Sequence, residues 1–328
     1  MNKRERLERT IAGEETDRPP VTIWRYFPGD DQRSADFARA LIAYQARYDW
    51  DVVVAMPTDS FCLRGYGLQD VWRGDQSGRR TINRRLIQGS LDWTELRALD
   101  PLRGELAKQS ECLRLLGDAW DDDATPFVQV IHSPLGQAVR LAGIETFLDH
   151  MRRQPDRVRT GLNVLTESTL QFIDVLQRQT KVAGIFYMVD LASYDRLAEA
   201  EYRDFGLPYD RKILDTLPRA WWFNILQVNG RSPMLHLFTT MNVQALNWSD
   251  QEAHPTLDTA MTSLDFAGAW CGGLGEETHL HYGTPASIRD AGRQIFYATG
   301  RRRMILSTGR YVPVTTPTSN LHAVRELV

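Results

Sequence analysis

The chain has 328 residues, a formal net charge of -3, 42% hydrophobic residues and 25% charged ones. That balance builds a globule with a real core, and it excludes a strongly basic nucleic-acid binder. No run approaches the ~20 apolar residues of a membrane span, and the opening MNKRERLERTIAGEETDRPP lacks the apolar stretch of a secretory signal, so the expectation is a cytoplasmic protein.

The apolar runs predict eight strands, at 21–27, 50–56, 126–133, 182–190, 222–229, 242–248, 266–271 and 303–309. After the first comes SADFARALIAYQARY (34–48), with apolar residues at helical spacing. Between the second and third lies a piece, about 61–101, too long for a plain connection; it reads as an excursion with a small hairpin, a lid over the barrel mouth. Helical patterns at 105–119, 161–179 and 285–300 precede the third, fourth and last strands, and EAEYRDFG and RKILDTL lead from the fourth to the fifth. The gaps after the fifth and sixth strands leave room only for brief helices. Most strands are continuous apolar runs, as in parallel sheets buried on both faces. Strands alternating with helices predict one α/β domain over 1–328, a (β/α)8 TIM barrel. The rival, an open doubly wound sheet, would carry a G-x-G-x-x-G turn, and CGGLG at 271–275 lacks that spacing.

In such a barrel the chemistry gathers at the C-terminal ends of the strands. Those ends read Arg25 and Tyr26, Pro57 to Asp59, His132 and Ser133, Asp190, Gln227 and Asn229, Asn247 and Trp248, Cys271 to Gly273, and Gly309 to Tyr311. Gln227 and Asn229 lie on one side of their strand and are expected to face the mouth, binding either a ligand or neighbouring strand ends. His236, in the short turn SPMLHLF, reads as packing or surface. Arginine offers a planar fork for carboxylate or phosphate. Arg25 and Arg310 near Asp59 and Asp190 therefore point to a small anionic substrate, although each arginine could equally be a salt-bridge partner of either aspartate. Cys62, Cys112 and Cys271 are widely spaced and odd in number, as expected of reduced thiols.

With these ends aligned, the chain resembles the uroporphyrinogen decarboxylase superfamily over nearly its whole length. NKRERLERTIAGEETDRPPV is similar to the opening helix and first-strand entry, and WRYFPGDD to the arginine-bearing segment after it. SPLGQAVRLAG (133–143) resembles the turn after the third strand, and EAEYRDFGLPYD (199–210) the helix entry after the fourth. NVQALNW and ILSTGRYVPVTTPTSNLHAVREL resemble the sixth strand and the closing glycine turn and helix. The resemblance implies one of two chemistries. Decarboxylases remove carboxylate carbon from a porphyrinogen without a cofactor, with an aspartate on the pyrrole N–H groups and arginines on the acid arms. Methyltransferases use zinc, held by His-x-Cys and a last cysteine, to activate a thiol for methyl transfer from a corrinoid.

The chain departs from both patterns. It has Gln227-Val228-Asn229-Gly230 where the zinc branch has His-x-Cys-Gly, and Arg310 where that branch has cysteine and decarboxylases have histidine. Amides are poor zinc ligands and guanidinium is none. The decarboxylase tyrosine falls at Arg140, and Asp59 is the carboxylate nearest the pyrrole-binding position.

The first reading is thus a cofactor-independent decarboxylase of a tetrapyrrole or another acid. Asp59, Arg25, Tyr26 and Arg310 carry the chemistry. Arg140, His132, Asp190, Tyr194, Gln227, Asn229, Asn247 and Trp248 line the substrate. Arginine keeps its proton, so Tyr26, Tyr194 or His132 would donate one. The second reading is corrinoid-linked methyl transfer or demethylation without the usual zinc site, with the methylated cofactor carried by a partner protein. The third is a barrel that binds a tetrapyrrole or acid without turnover. A homodimer is implied by the resemblance alone, and neither metal, membrane nor nucleic acid is expected.

Overall fold

The computed structural model describes residues 1–120 and 125–328. Seven strands form one parallel sheet: β1 (Val53–Ala55), β4 (Phe127–His132), β5 (Gly184–Val189), β6 (Ile225–Val228), β7 (Ala245–Asn247), β8 (Ala269–Leu274) and β9 (Met304–Thr308), adjacent in that order. Two more, β2 (Gln69–Val71) and β3 (Thr81–Arg84), make a separate antiparallel hairpin in the stretch after β1.

The first expected strand, 21–27, differs from the prediction. Only Val21 is paired, through a parallel bridge to Leu306 on β9. The reason is visible in its hydrogen bonds. The Val21 N–H donates to the Asp51 carboxylate at 2.8 Å, and the Thr22 hydroxyl donates to the Val52 carbonyl at 2.8 Å. Side chains thus supply bonds that a backbone ladder would otherwise make. Backbone bonds also run from Thr22 to Leu306 (3.0 Å) and from Asp51 to Val21 (2.9 Å), so this short stave joins both edges of the sheet.

Asp51 is fully buried and carries this closure. It accepts from Arg6 Nη1 (2.7 Å) and Arg18 Nη1 (2.7 Å) as well as from Val21. Arg6 belongs to the helix Lys3–Ala12, which begins on an Asn2 cap. The opening helix is therefore bolted to the barrel by charge.

Period-two alternation divides the apolar residues between two layers. Val54, Val128, Val130, Phe186, Met188, Ile225, Ala245, Ala269 and Ile305 pack together within the barrel. Val53, Ile131, Ile185, Leu226, Leu246 and Leu306 pack outward against helices that include Ser34–Tyr48, Gly104–Ala119, Pro155–Gln179 and Pro285–Thr299. SPLGQAVRLAG, expected as a turn, forms the helix Pro134–Ala142; Ser133 caps it by accepting from Gly136 N at 3.1 Å, and proline stands in its first turn. The gap after β6 holds only a short turn of helix, Leu235–Leu237, and the gap after β7 the helix Leu257–Ser263. Among the described residues no helix is long and apolar enough to cross a membrane.

A second buried carboxyl fastens helices to the barrel. Asp210 accepts from the Tyr187 hydroxyl of β5 at 2.7 Å and from the Tyr202 hydroxyl. Burial pushes its pKa up to about 6, against the pull of both phenols.

Two outcomes follow from this packing. Asp51→Ala removes the buried carboxylate that Arg6 and Arg18 share, leaving Arg6 with the Asp17 carboxylate alone, and should lower unfolding free energy by ~3–5 kcal/mol, read from urea melts. Folded Asp210 holds a proton between its ordinary range near pH 4 and about 6 that the unfolded chain has lost. Its contribution to stability therefore falls as pH rises through that window. Asp210→Asn should flatten the decline measured between pH 4.5 and 7.

Candidate active site

At the C-terminal ends of the strands lies an open cavity of about 1000 Å³. Its wall carries six arginines (Arg79, Arg85, Arg140, Arg196, Arg231 and Arg310), the carboxylates Asp190, Asp195 and Glu252, and the rings of Tyr26 and Tyr311. Cations outnumber anions on that surface, so the field in the cavity favours an acid group on the ligand.

A continuous ionic chain forms one wall. Arg79, from the end of the hairpin turn, donates to Asp59 Oδ2 at 2.7 Å. Arg140 Nε lies 3.6 Å from the same oxygen, while its Nη1 donates to Asp190 Oδ2 at 2.6 Å. Asn229 Nδ2 then donates to Asp190 Oδ1 at 3.0 Å. The chain thus runs from the excursion after β1, through the helix after β4, to the ends of β5 and β6. Gly136 makes room for it: a Cβ there would sit 2.5 Å from Asp190 Oδ2.

These contacts set the ionisation states. Burial opposes charge on Asp59, but Arg140 and Arg79 outweigh it and hold the carboxyl below its usual range. Asp190 is likewise lowered against burial, chiefly by Arg140. Burial and then Arg140 push His132 down to about 3, so it is a neutral imidazole at physiological pH. Burial, reinforced by the Asp59 charge, raises Tyr26 well above its ordinary value, so it keeps its proton. The Tyr26 and Tyr311 rings meet edge to face, with centroids 4.7 Å apart.

The hairpin is held at its tip. Val314 N donates to Gln76 O at 2.8 Å. Gly78, at φ +78, passes so close to Tyr26 and Val314 that a Cβ would lie 2.8 Å from both. This close approach sets Arg79 over the mouth.

The opposite side is acidic. Arg310 Nε donates to Glu276 Oε1 at 2.6 Å, and Nη2 to Glu252 Oε2 at 2.7 Å. Behind them Asp250 is buried and accepts from Gly273 N at 3.0 Å; burial raises its pKa to about 6.

Of the residues singled out in the sequence, Asp59, Tyr26, Arg140, Asp190, Asn229 and Arg310 lie in this cavity wall or in direct contact with it. His132 is buried beside the chain, and its Nδ1 has no hydrogen-bond partner among the described residues. Others sit elsewhere, for clear reasons. Arg25 turns outward, stacks over Phe27 and Tyr44, and donates to the Val314 carbonyl. Gln227 donates to Asn247 Oδ1 (2.8 Å) and the Gly309 carbonyl (2.6 Å). Asn247 in turn donates to the carbonyls of Cys271 (2.8 Å) and Thr308 (3.0 Å). Those two amides tie together the ends of β6, β7, β8 and β9 inside the barrel. Trp248 is fully buried, with its indole N–H on the Pro255 carbonyl. Tyr194 is 55% exposed and donates to Glu199; His236 is at the surface, 3.3 Å from the same carboxylate.

Sequence reasoning missed Arg79, Arg85, Glu252 and Glu276. The signal for the first two was RGDQSGRRTINRR (73–85), with five arginines in the one long excursion. No comparable signal marked the two glutamates: Glu252 lies in a turn past β7, and Glu276 opens the short helix Glu276–His281 after β8.

Zinc does not fit this site. Gln227 is spent on strand ends, Asn229 on Asp190 and Arg310 on two glutamates. Among the described residues no three His, Cys, Asp or Glu side chains stand together as a metal site. Cys271 is buried, which pushes its thiol up to about 12, far from the thiolate that zinc prefers.

Comparison with known proteins places this architecture. Methylcobamide:CoM methyltransferase MtbA of Methanosarcina acetivorans is 20% identical, covering 98% of this chain and 96% of that protein. A 3-dehydroquinate dehydratase of Pyrobaculum aerophilum is 26% identical over 129 residues, 39% of this chain, and the chain spans just 39% of that relative. Among solved structures, a methyltransferase from Methanosarcina mazei superposes with a TM-score of 0.87 at 14% identity, covering 100% of this chain and 98% of that one. A B12-independent methionine synthase from Shewanella sp. W3-18-1 gives 0.56 at 11% identity, covering 96% of each; at such identities the likeness is one of fold. The model of the family described as uroporphyrinogen decarboxylase (URO-D) matches residues 2–328. With its parallel strands, helical outer layer and full-length match, the chain belongs to the uroporphyrinogen decarboxylase family.

Proposed function

We propose that the protein is a methyl-transfer enzyme of this family that works without zinc. One observation carries the choice over decarboxylation. Asp59, the candidate for gripping pyrrole N–H groups, already has its Oδ2 taken by Arg79 and flanked by Arg140. Pyrroles that donate to both carboxylate oxygens would have to displace the charged hydrogen bond on Oδ2, which is roughly twice as strong as a neutral one. The full-length likeness to a methyltransferase, and the methyltransferase fold match, support the same reading.

Each group then has a role its environment suits. Arg79, Arg140 and Arg310 supply fixed positive charge where an acid group or developing anion would lie. The protonated Tyr26 hydroxyl can hydrogen-bond an acid group of the substrate without losing its proton. Neutral His132 supports the wall without adding charge. The methyl carrier, a corrinoid presented at the open mouth, is a substrate and not a resident group.

The test is anaerobic incubation with reduced cobalamin and a panel of methylated amines, ethers and thioethers. We expect methylcobalamin absorbance to appear with a member of the panel, unaffected by a zinc chelator, while uroporphyrinogen keeps all its carboxylates. Stepwise carboxylate loss from uroporphyrinogen, with cobalamin unchanged, would overturn the reading. Arg79→Gln should lower turnover by roughly 100-fold, the usual scale for removing one fixed charge from a site. Its melting temperature should also fall, since the buried Asp59 carboxylate then keeps only Arg140, 3.6 Å away.

A further inference from the structure

The cavity is electrically two-sided. On one side three guanidiniums, Arg79, Arg85 and Arg140, face two carboxylates, Asp59 and Asp190. Arg85 is the surplus cation among these three. Its Nη1 donates to the Arg140 carbonyl at 2.6 Å, and no carboxylate among the described residues pairs with it. On the other side two carboxylates, Glu252 and Glu276, both pair with the guanidinium of Arg310. The strand order places β7 and β8, which lead to these glutamates, across the barrel from β1 and β4, which lead to the arginines. Burial raises Glu276 above its ordinary range despite Arg310, with Glu252 adding to the rise, so a further cation there would be stabilised. Tyr26 and Tyr311 line the same space between the two sides.

We infer that the cavity binds a zwitterion, with its carboxylate on the Arg85 side and a methylated ammonium group beside Glu252. The choice of a methylated cation rests on the methyl-transfer reading above. It also explains how transfer proceeds without a Lewis acid. When the C–N bond of a quaternary ammonium breaks, its electron pair goes to nitrogen, which leaves as a neutral amine. The acceptor, a reduced corrinoid, supplies the pair for the new bond to carbon. The leaving group needs neither a proton nor a metal.

The binding half is tested without any methyl acceptor, by calorimetric titration of the full chain with three probes. These are 4-trimethylammoniobutanoate, its uncharged-end isostere 5,5-dimethylhexanoate, and propyltrimethylammonium, which lacks the acid. The zwitterion should bind about tenfold tighter than either one-headed probe. Glu252→Gln should weaken the zwitterion and propyltrimethylammonium while leaving 5,5-dimethylhexanoate unchanged. Arg85→Gln should do the converse, weakening the two acids and sparing the bare cation. If 5,5-dimethylhexanoate binds as tightly as the zwitterion, the cavity reads only the anion and the inference falls. It falls equally if none of the probes binds, or if neither substitution discriminates among them. Selective zwitterion binding with no methylcobalamin formed from any donor would reject methyl transfer and leave the binding site standing.

Discussion

Charge brought out of water at the barrel mouth is the constraint on which the site depends. A carboxylate as buried as Asp59 survives in ionised form only with close cations, because the desolvation of a lone charge amounts to several kcal/mol. The chain meets this demand with guanidiniums from different segments. Arg79 arrives from the hairpin turn and Arg140 from the helix after β4, and Arg140 reaches Asp190 in turn. Meeting the electrostatic demand thus fixes where the hairpin sits, how that helix is oriented and how the ends of β5 and β6 are aligned. The same principle acts at the other end of the barrel, where Asp51 gathers Arg6 and Arg18.

Much of the scaffold was legible in the sequence, because buried parallel strands announce themselves as apolar runs. Seven of the eight predicted strands form, shortened or shifted by a few residues. The first stave was misjudged because VTIWRYF looks like a strand by composition, whereas Asp51 and Thr22 take over its pairing, a substitution of side chain for backbone that no local pattern reveals. The site was legible only where residues stand at strand ends, as Asp190, Asn229 and Arg310 do. Side-chain direction was not. Arg25 and Tyr26 are neighbours, yet one stacks outward on aromatic rings and the other points into the barrel. Gln227 and Asn229 share a face, yet one is buried in strand-to-strand bonds and the other meets Asp190.

The residues at the positions compared with zinc ligands build an order that needs no metal. Gln227 and Asn247 hold four strand ends by amide bonds, which need no metal. Arg310 puts a permanent cation between two glutamates, where its charge does not depend on metal supply. A site of this kind recognises ligands by the placement of fixed charges, and its selectivity should be sensitive to ionic strength at the rim, where Glu252 and Arg310 meet solvent, and much less so at the buried Asp59.

The way the barrel closes also bears on how the chain reaches its folded form. Arg25 finds the Val314 carbonyl across 289 residues of sequence, and Arg303 reaches the Ile11 carbonyl across 292. On a ribosome, the opening helix and first stave therefore emerge long before the partners that complete them. Until β9 is made, the sheet has an open edge on each side and apolar staves exposed to solvent. Contacts of such separation slow folding and lengthen the time at risk of misassociation. The last thirty residues thus do more than finish the barrel: they decide when its beginning becomes native.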